Sequence, residues 1–334
     1  MKPLTLEKTF NIAFFEKDSF HKFLSFKPSD HVTKGFFDGR EVYEPNEKLK
    51  EYLRFINEFI VSYLNVNKEV VFSYRKGSST YDAVAVHSCS KIFFNADIKS
   101  FFPSINRKFA KRILLENTNT IPIIDIKDYI DVLLDYIIYN DSLPVGFITS
   151  PSFSNACLFE FDNALQNYCN KFGFVYSRYS DDIIVSSVGG GKFNDLEEVI
   201  SLFLSELGNV RFQLNKEKTK IARKGNKIKL LGMVILPSGR ISVDIKIKQR
   251  VEHLIHFYLT DRDKFIDAVV NDPKIRTKIR IKKLVTVEQK LEAGIETISG
   301  LLNHINTIDK EYLNKLKKKY GNAIVDMFFH KSVN

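Results

Sequence analysis

The chain has 334 residues, 44% of them hydrophobic, with 50 Lys and Arg against 40 Asp and Glu and a formal net charge of +10. That apolar content excludes intrinsic disorder, and the length predicts two or three domains with sizeable cores. No apolar run reaches the ~18 residues of a membrane span and no signal-peptide pattern opens the chain, so a cytoplasmic location without a membrane partner is expected. Cys89, Cys157 and Cys169 lack paired spacing, which argues against a disulfide framework or a zinc site.

The first residues, to about Val66, read as helical. Leu49, Leu53, Ile56 and Ile60 form an amphipathic stripe within Glu47–Tyr63, and Asn46 is placed to cap it. Glu69 to Tyr74 reads as a strand leading into Arg75-Lys76-Gly77-Ser78-Ser79. Two cations beside a glycine and two hydroxyls suit a triphosphate, and they equally suit an exposed turn. Asp82 to His87 begins a helix. Ile92 to Ile98 is apolar on both faces, the mark of a central buried strand. Asp97 near its end either caps the next helix or binds a cation, because an unpaired buried carboxylate is costly. Ile105 to Tyr139 is mostly helical, broken near Asn117–Pro122. Leu143 to Pro151 is a loop, with Ser150 as N-cap and Pro151 at the first position of a helix that Gly173 ends.

Next come two apolar, β-branched and aromatic runs, Phe174–Arg178 and Ile183–Ser187, around Tyr179-Ser180-Asp181-Asp182. They predict a hairpin with two carboxylates at its tip. An acidic dipeptide alone is also what a solvated turn contains, and its neighbours decide the matter. Gly189–Gly191 forms a turn, Asp195–Leu207 an amphipathic helix, and Leu214–Lys220 a polar stretch able to lie over the site. Lys229–Ile235, Pro237–Arg240 and Ile241–Val243 read as strand, turn and strand. From Ile245 onward the pattern is helical, with 18 Lys and Arg against 11 Asp and Glu. Such a concentration suits a phosphate-backbone partner. Lys278, Arg280, Lys282 and Lys283 form one candidate RNA-binding run, and Lys315, Lys317, Lys318 and Lys319 a second. Gly294 and Gly300 are candidate breaks.

Nucleotidyl transfer needs two divalent cations on hard oxygen ligands and a cationic grip on a triphosphate. A strand ending in Asp97 beside a hairpin carrying Asp181 and Asp182 supplies the ligands. Asp97-Ile98-Lys99-Ser100-Phe101-Phe102 resembles the first catalytic motif of reverse transcriptases. Leu143 to Asn155 resembles the second, LPQGxxxSPxxSN; Tyr179–Asp182 the YxDD box; Leu214–Thr219 the LNxxKT segment; and Leu231-Gly232 the primer-grip hairpin. The match spans roughly residues 70 to 240. The resemblance implies an α+β right-hand polymerase with fingers, an antiparallel palm and a helical thumb. On this sequence those are 1–96 for N-terminal helices and fingers, 97–240 for the palm with part of the fingers, and 241–334 for a basic thumb. It implies RNA-templated DNA synthesis with two Mg²⁺ ions, or Mn²⁺ in their place.

Carried over by motif, Asp97 and Asp181 bind both metals with Asp182 the third carboxylate, and the Ile98 carbonyl also touches a metal. Phe102, five residues after Asp97, becomes the gate against a 2′-hydroxyl. Arg75, Lys76, Val145, Gly146 and Lys218 contact the nucleotide, with Lys218 as proton donor to pyrophosphate. Val145 stands where Gln is usual, so that side-chain contact is lost; Ser180 replaces the commoner Ala or Met. The remaining length has no room for an endonuclease, RNase H or integrase region. A compact enzyme of this kind resembles bacterial retron and anti-phage reverse transcriptases. Asp82-Ala83 with His87 loosely resembles the retron NAxxH segment, and Leu230-Leu231-Gly232 stands at the retron VTG. The wider defence group is favoured, with a retron enzyme making RNA-linked DNA as runner-up. The expected partners are a structured non-coding RNA template, its cDNA product and dNTPs, with room for an effector protein encoded nearby. Two further readings stay open: an untemplated DNA polymerase or RNA polymerase on the same palm, and an inactive RNA-binding module.

Overall fold

At the centre of the N-terminal part of the chain is a four-stranded antiparallel sheet. In the computed structural model, which describes residues 4–330 apart from 16, 38, 190–192, 224, 226 and 273–285, its order is β4 (Phe174–Tyr179), β5 (Asp182–Ser187), β3 (Ile92–Asp97) and β6 (Lys220–Arg223). The doubly apolar pattern of β3 has the expected outcome, because Phe93, Phe94 and Ala96 are all buried. Ile183, Ile184 and Val185 of β5 are fully buried beside it. Each such side chain contributes about 1.5–3 kcal/mol by leaving water.

Helices complete this layer. They include α1 (Leu6–Phe14), α2 (Phe20–Ser25), α3 (Glu47–Phe59), α4 (Thr80–Ala85), α5 (Phe101–Ser104), α6 (Arg107–Glu116), α7 (Ile130–Ile137), α8 (Thr149–Ala156), α9 (Phe159–Lys171) and α10 (Leu196–Phe203). Asn46 caps α3 as expected, its side chain accepting from Leu49 N at 2.9 Å. Phe10, Phe23, Tyr52, Phe55 and Tyr136 bring α1, α2, α3 and α7 into one aromatic cluster. The Tyr136 hydroxyl donates to Phe23 O at 2.6 Å, which satisfies its buried polar end.

Several expectations are corrected. The segment before α3 is not helical throughout: β1 (Val32–Phe37) and β2 (Arg40–Pro45) form an antiparallel hairpin in which Phe37 pairs with Arg40. The Asp38-Gly39 dipeptide between them is a hairpin signal, and Gly39 has φ 74°. Glu69–Tyr74 is not a strand, since Val71 makes only an isolated parallel bridge to Arg178. The helix expected from Pro151 to Phe172 is two helices, and Ser150 lies inside the first rather than capping it. Its hydroxyl donates instead to Pro144 O at 2.7 Å, which closes the preceding loop.

The chain divides into two compact units, Met1–Arg223 and Lys224–Asn334. The second has a three-stranded antiparallel sheet of β7 (Ile228–Leu230), β8 (Met233–Ile235) and β9 (Ile241–Val243). The single strand expected over Lys229–Ile235 folds at Leu231-Gly232, with φ 48° and 82°, into a tight turn between β7 and β8. Helices α11 (Ile245–Thr260), α12 (Arg262–Asn271), α13 (Val287–Ile308), α14 (Lys310–Tyr320) and α15 (Asn322–His330) follow. Gly294 and Gly300 do not break α13. A Cβ at Gly294 would lie 2.4 Å from the Phe265 ring, so the glycine permits close helix packing. The α+β class with antiparallel sheets is as expected. The candidate run Lys278, Arg280, Lys282 and Lys283 lies outside the described residues.

Candidate active site at the β4–β5 hairpin

The antiparallel register of β3 and β5 sets Asp97 directly opposite Asp182. The chain reverses at Ser180-Asp181, where Ser180 takes the left-handed conformation with φ 59°. The Asp181 carbonyl accepts from Ile98 N at 3.0 Å, fastening the turn to the end of β3. Three carboxylates are thereby gathered by two strands and one turn.

The polar stretch after α10 closes on the same point. Asn215 N donates to Asp97 O at 2.7 Å, and Lys99 N donates to Gln213 O at 2.8 Å. Lys218 Nζ lies 2.9 Å from Asp97 Oδ1. This contact raises the lysine pKa above its ordinary value. Burial first, then the charges of Asp181 and Asp97, push the Asp182 carboxyl up to about 7. Burial also raises Asp181, and the Asp97 charge adds to it. Crowded carboxylates of this kind gain from a divalent cation.

The motif resemblance implies divalent metal ions, and the hard-oxygen donor set of Asp97, Asp181 and Asp182 fits them. Among the described residues no three His, Cys, Asp or Glu side chains form a ready-made metal cage. The Lys218 ammonium is the cation that now meets Asp97.

A cavity of about 690 Å³ opens beside the hairpin. Of the site residues carried over by motif, Asp97, Ile98, Phe102, Val145, Asp181 and Lys218 line it. Phe102 is half-buried on α5. Asp182 does not reach the lining, and neither does Gly146. Gly146, with φ 117°, packs so closely that a Cβ would lie 2.3 Å from Tyr43 O, so its glycine is a structural requirement of the loop. Tyr43 N donates to Val145 O at 2.8 Å, which joins this loop to β2. Arg75 and Lys76 are absent from the lining. The Arg75 guanidinium turns back to the carbonyls of Lys68, at 2.8 Å, and Val71, while Lys76 is exposed. Leu231 and Gly232 belong to the second unit.

Sequence reasoning missed several residues of the cavity wall: Arg40, Tyr74, Lys99, Ser180 and Asn215. Lys99, Ser180 and Asn215 stand inside the recognised motifs and were legible there. Nothing local marks Arg40 or Tyr74, which arrive from elements distant in sequence.

Behind the hairpin, Arg178 and Asp162 form a fully buried ion pair at 2.7 Å. Arg178 Nη1 also donates to Ser180 O at 2.8 Å. His87 is buried, its two ring nitrogens 2.6 Å from Ser186 Oγ and 2.7 Å from Ser177 Oγ. Burial pushes its pKa down to about 3, so it serves as a neutral staple between the end of α4 and strands β4 and β5.

The family model for reverse transcriptase (RNA-dependent DNA polymerase) matches residues 42–235. Retron Mx65 reverse transcriptase of Myxococcus xanthus is 26% identical over 231 residues, 65% of this chain and 52% of that protein. Retron Ec83 reverse transcriptase of Escherichia coli is 21% identical over 320 residues, 92% of each chain. Retron Ec73 reverse transcriptase, also of Escherichia coli, is 25% identical over 300 residues, 85% of this chain and 84% of that one. The chain thus spans about half the length of the Myxococcus relatives it matches and most of the two Escherichia coli ones. Among the described residues no helix is long and apolar enough to cross a membrane. The family match takes in more than half of the chain, including Asp97, the hairpin carboxylates and Lys218, and the chain belongs to the reverse transcriptase (RNA-dependent DNA polymerase) family.

Proposed function

We propose that this protein is a retron-type RNA-templated DNA polymerase that copies a structured non-coding RNA into cDNA, in anti-phage defence. The observation that carries the reading is the juxtaposition of Asp97 and Asp182 across two strands, with Asp181 at the turn and a cavity beside it. Asp97 and Asp181 would hold the metal ions, with Asp182 as the third carboxylate. Bound there, Mg²⁺, or Mn²⁺ in its place, would supply charge neutralisation at the triphosphate and a lowered pKa for the attacking 3′-hydroxyl. Phe102 stands under the sugar and excludes a 2′-hydroxyl. Lys218 leaves Asp97 and gives its proton to departing pyrophosphate. Arg40 and Lys99 bring positive charge to the wall, a role for which Arg75 and Lys76 are less well placed.

In functional terms residues 1–96 act as N-terminal helices and fingers, 97–240 as palm with the remaining finger elements, and 241–334 as thumb. Leu231-Gly232 is the tip of the primer-grip hairpin, and basic helices after Ile245 grip RNA through phosphates.

The test is primer extension on an RNA template with dNTPs or rNTPs, for wild type and Asp181→Asn. DNA made by wild type and lost in the variant, with RNA affinity kept, is the expected result. Extension by the variant overturns the assignment. Sequencing nucleic acid that copurifies separates the retron reading from the wider defence group: RNA-linked DNA is the retron product, and unlinked cDNA is not. The retron reading is favoured over the wider group because the curated relatives that match are named retron reverse transcriptases.

A further inference from the structure

We propose that Tyr74 is a substrate-contacting residue whose ring stacks on a nucleobase at the active centre, and that Ser180 sets its pose. The inference rests on reading the cavity as the nucleotide site. Tyr74 comes from the segment before α4, outside the matched motifs, yet it lines the cavity together with Asp97 and Asp181. It is 43% exposed, a large aromatic surface for a wall that also holds charged side chains. No other ring stacks on it among the described residues.

Its conformation is enforced. Tyr74 has φ 55° and Ser180 has φ 59°, a region that residues with a Cβ seldom occupy. Such strain persists only where surrounding contacts over-determine it, and it gathers at functional sites. The contacts are present here. The Tyr74 and Ser180 hydroxyls lie 3.0 Å apart. Next in the chain, Ser73 Oγ accepts from Ser180 N at 2.8 Å and donates to Asn155 Oδ1 at 3.1 Å. Asn155 Nδ2 returns a bond to Ser73 O at 2.8 Å. Arg178 holds Ser180 O from behind. Every polar group of Ser180 is therefore engaged: Ser73 and Arg178 hold its backbone, and its hydroxyl meets Tyr74 and the Asp181 carboxyl.

This explains the serine in the YxDD box. An Ala or Met there would leave the phenol without its partner, so the side chain at position 180 and the ring at 74 work as a pair. An aromatic face at a wall suits any base, because all four present a π-surface. The base can belong to the incoming nucleotide or to the primer terminus, and the two sources separate experimentally.

The experiment measures single-nucleotide insertion on an RNA template with dATP or dTTP, and with a purine or pyrimidine at the primer 3′ end. Equilibrium binding of mant-labelled dATP to the primer–template complex in Ca²⁺ is followed by anisotropy. Tyr74→Ala should raise KM and Kd about tenfold for dATP and less for dTTP if the ring meets the incoming base. If it meets the primer terminus, the loss follows the primer base instead. Tyr74→Phe, which keeps the ring, should recover most of the affinity. Ser180→Ala should match Tyr74→Phe, and the double variant should be no worse than either. A change below twofold for Tyr74→Ala in every arm, or an equal loss for purine and pyrimidine together with a lowered Tm, overturns the inference. Lack of extension by wild type would defeat the polymerase reading alone, since nucleotide anisotropy still reports on Tyr74.

Discussion

Lys218 and Asp97, 121 residues apart in sequence, meet at 2.9 Å between Nζ and Oδ1. The lysine pairs with Asp97, and its charge also offsets part of the repulsion that Asp97 exerts on Asp181 and that Asp181 and Asp97 exert on Asp182. Lys218→Gln should lower the incorporation rate by about 10²-fold, the scale of a lost general acid. It should also tighten Mn²⁺ binding, read by EPR without nucleotide, because the ammonium no longer occupies Asp97. A rate equal to wild type would remove Lys218 from the chemistry.

The raised Asp182 pKa has a sign. A carboxyl whose folded pKa lies above its unfolded value contributes stability while protonated, and that stability is lost as pH rises through the folded pKa. The unfolded value is 3.8 and the folded one about 7. Without divalent metal, Asp182→Asn should therefore become more stable than wild type as pH rises towards about 8, and the gap should close near pH 4. Thermal melts in EDTA across that range check it; a gap independent of pH would contradict it.

Phe102 stands half-buried on the cavity wall. Phe102→Ala should reduce discrimination against rNTPs by tenfold or more, about 1.4 kcal/mol in the competing barriers. The measurement is kcat/KM for matched rNTP and dNTP pairs. Equal use of both by wild type would mean that no gate exists.

The basic run on α14 is divided by its partners. Lys317 pairs with Asp326 at 2.7 Å and the exposed Lys319 with Glu252 at 2.5 Å, whereas Lys315 and Lys318 are exposed and make no ion pair among the described residues. Replacing Lys315 and Lys318 by Gln should shallow the log–log salt dependence of RNA affinity by about 0.7–0.9 per phosphate contact. Replacing Lys317 and Lys319 should change that slope less. Identical slopes for wild type and Lys315→Gln/Lys318→Gln would show that this face does not touch RNA.

Asp162→Asn should destabilise the protein by about 3–5 kcal/mol, because it strands a buried guanidinium. Urea denaturation of wild type and variant gives the number. A change below about 1 kcal/mol would mean that Arg178 finds other partners, since exposed pairs contribute on that scale.

What the sequence determined by itself is local. β-Branched and aromatic runs marked β4 and β5, apolar residues on both faces marked β3, and Asn46 marked the start of α3. These signals depend on side-chain period and on groups within one turn, so they survive without knowledge of the partner. The order of the motifs also identified the family before any geometry was known. Where two local rules competed, the sequence was ambiguous: Ser150 had the chemistry of a cap, yet its hydroxyl was claimed by Pro144. Only the tertiary structure decided the rest. The register that sets Asp97 against Asp182 joins strands 85 positions apart, and the bridge from Tyr74 to Ser180 spans 106. Arg75 looked like a phosphate ligand because its neighbours are polar; the fold turned it onto two backbone carbonyls. Such outcomes rest on which elements bury one another, and that is set by the packing of the whole core rather than by any window of the chain.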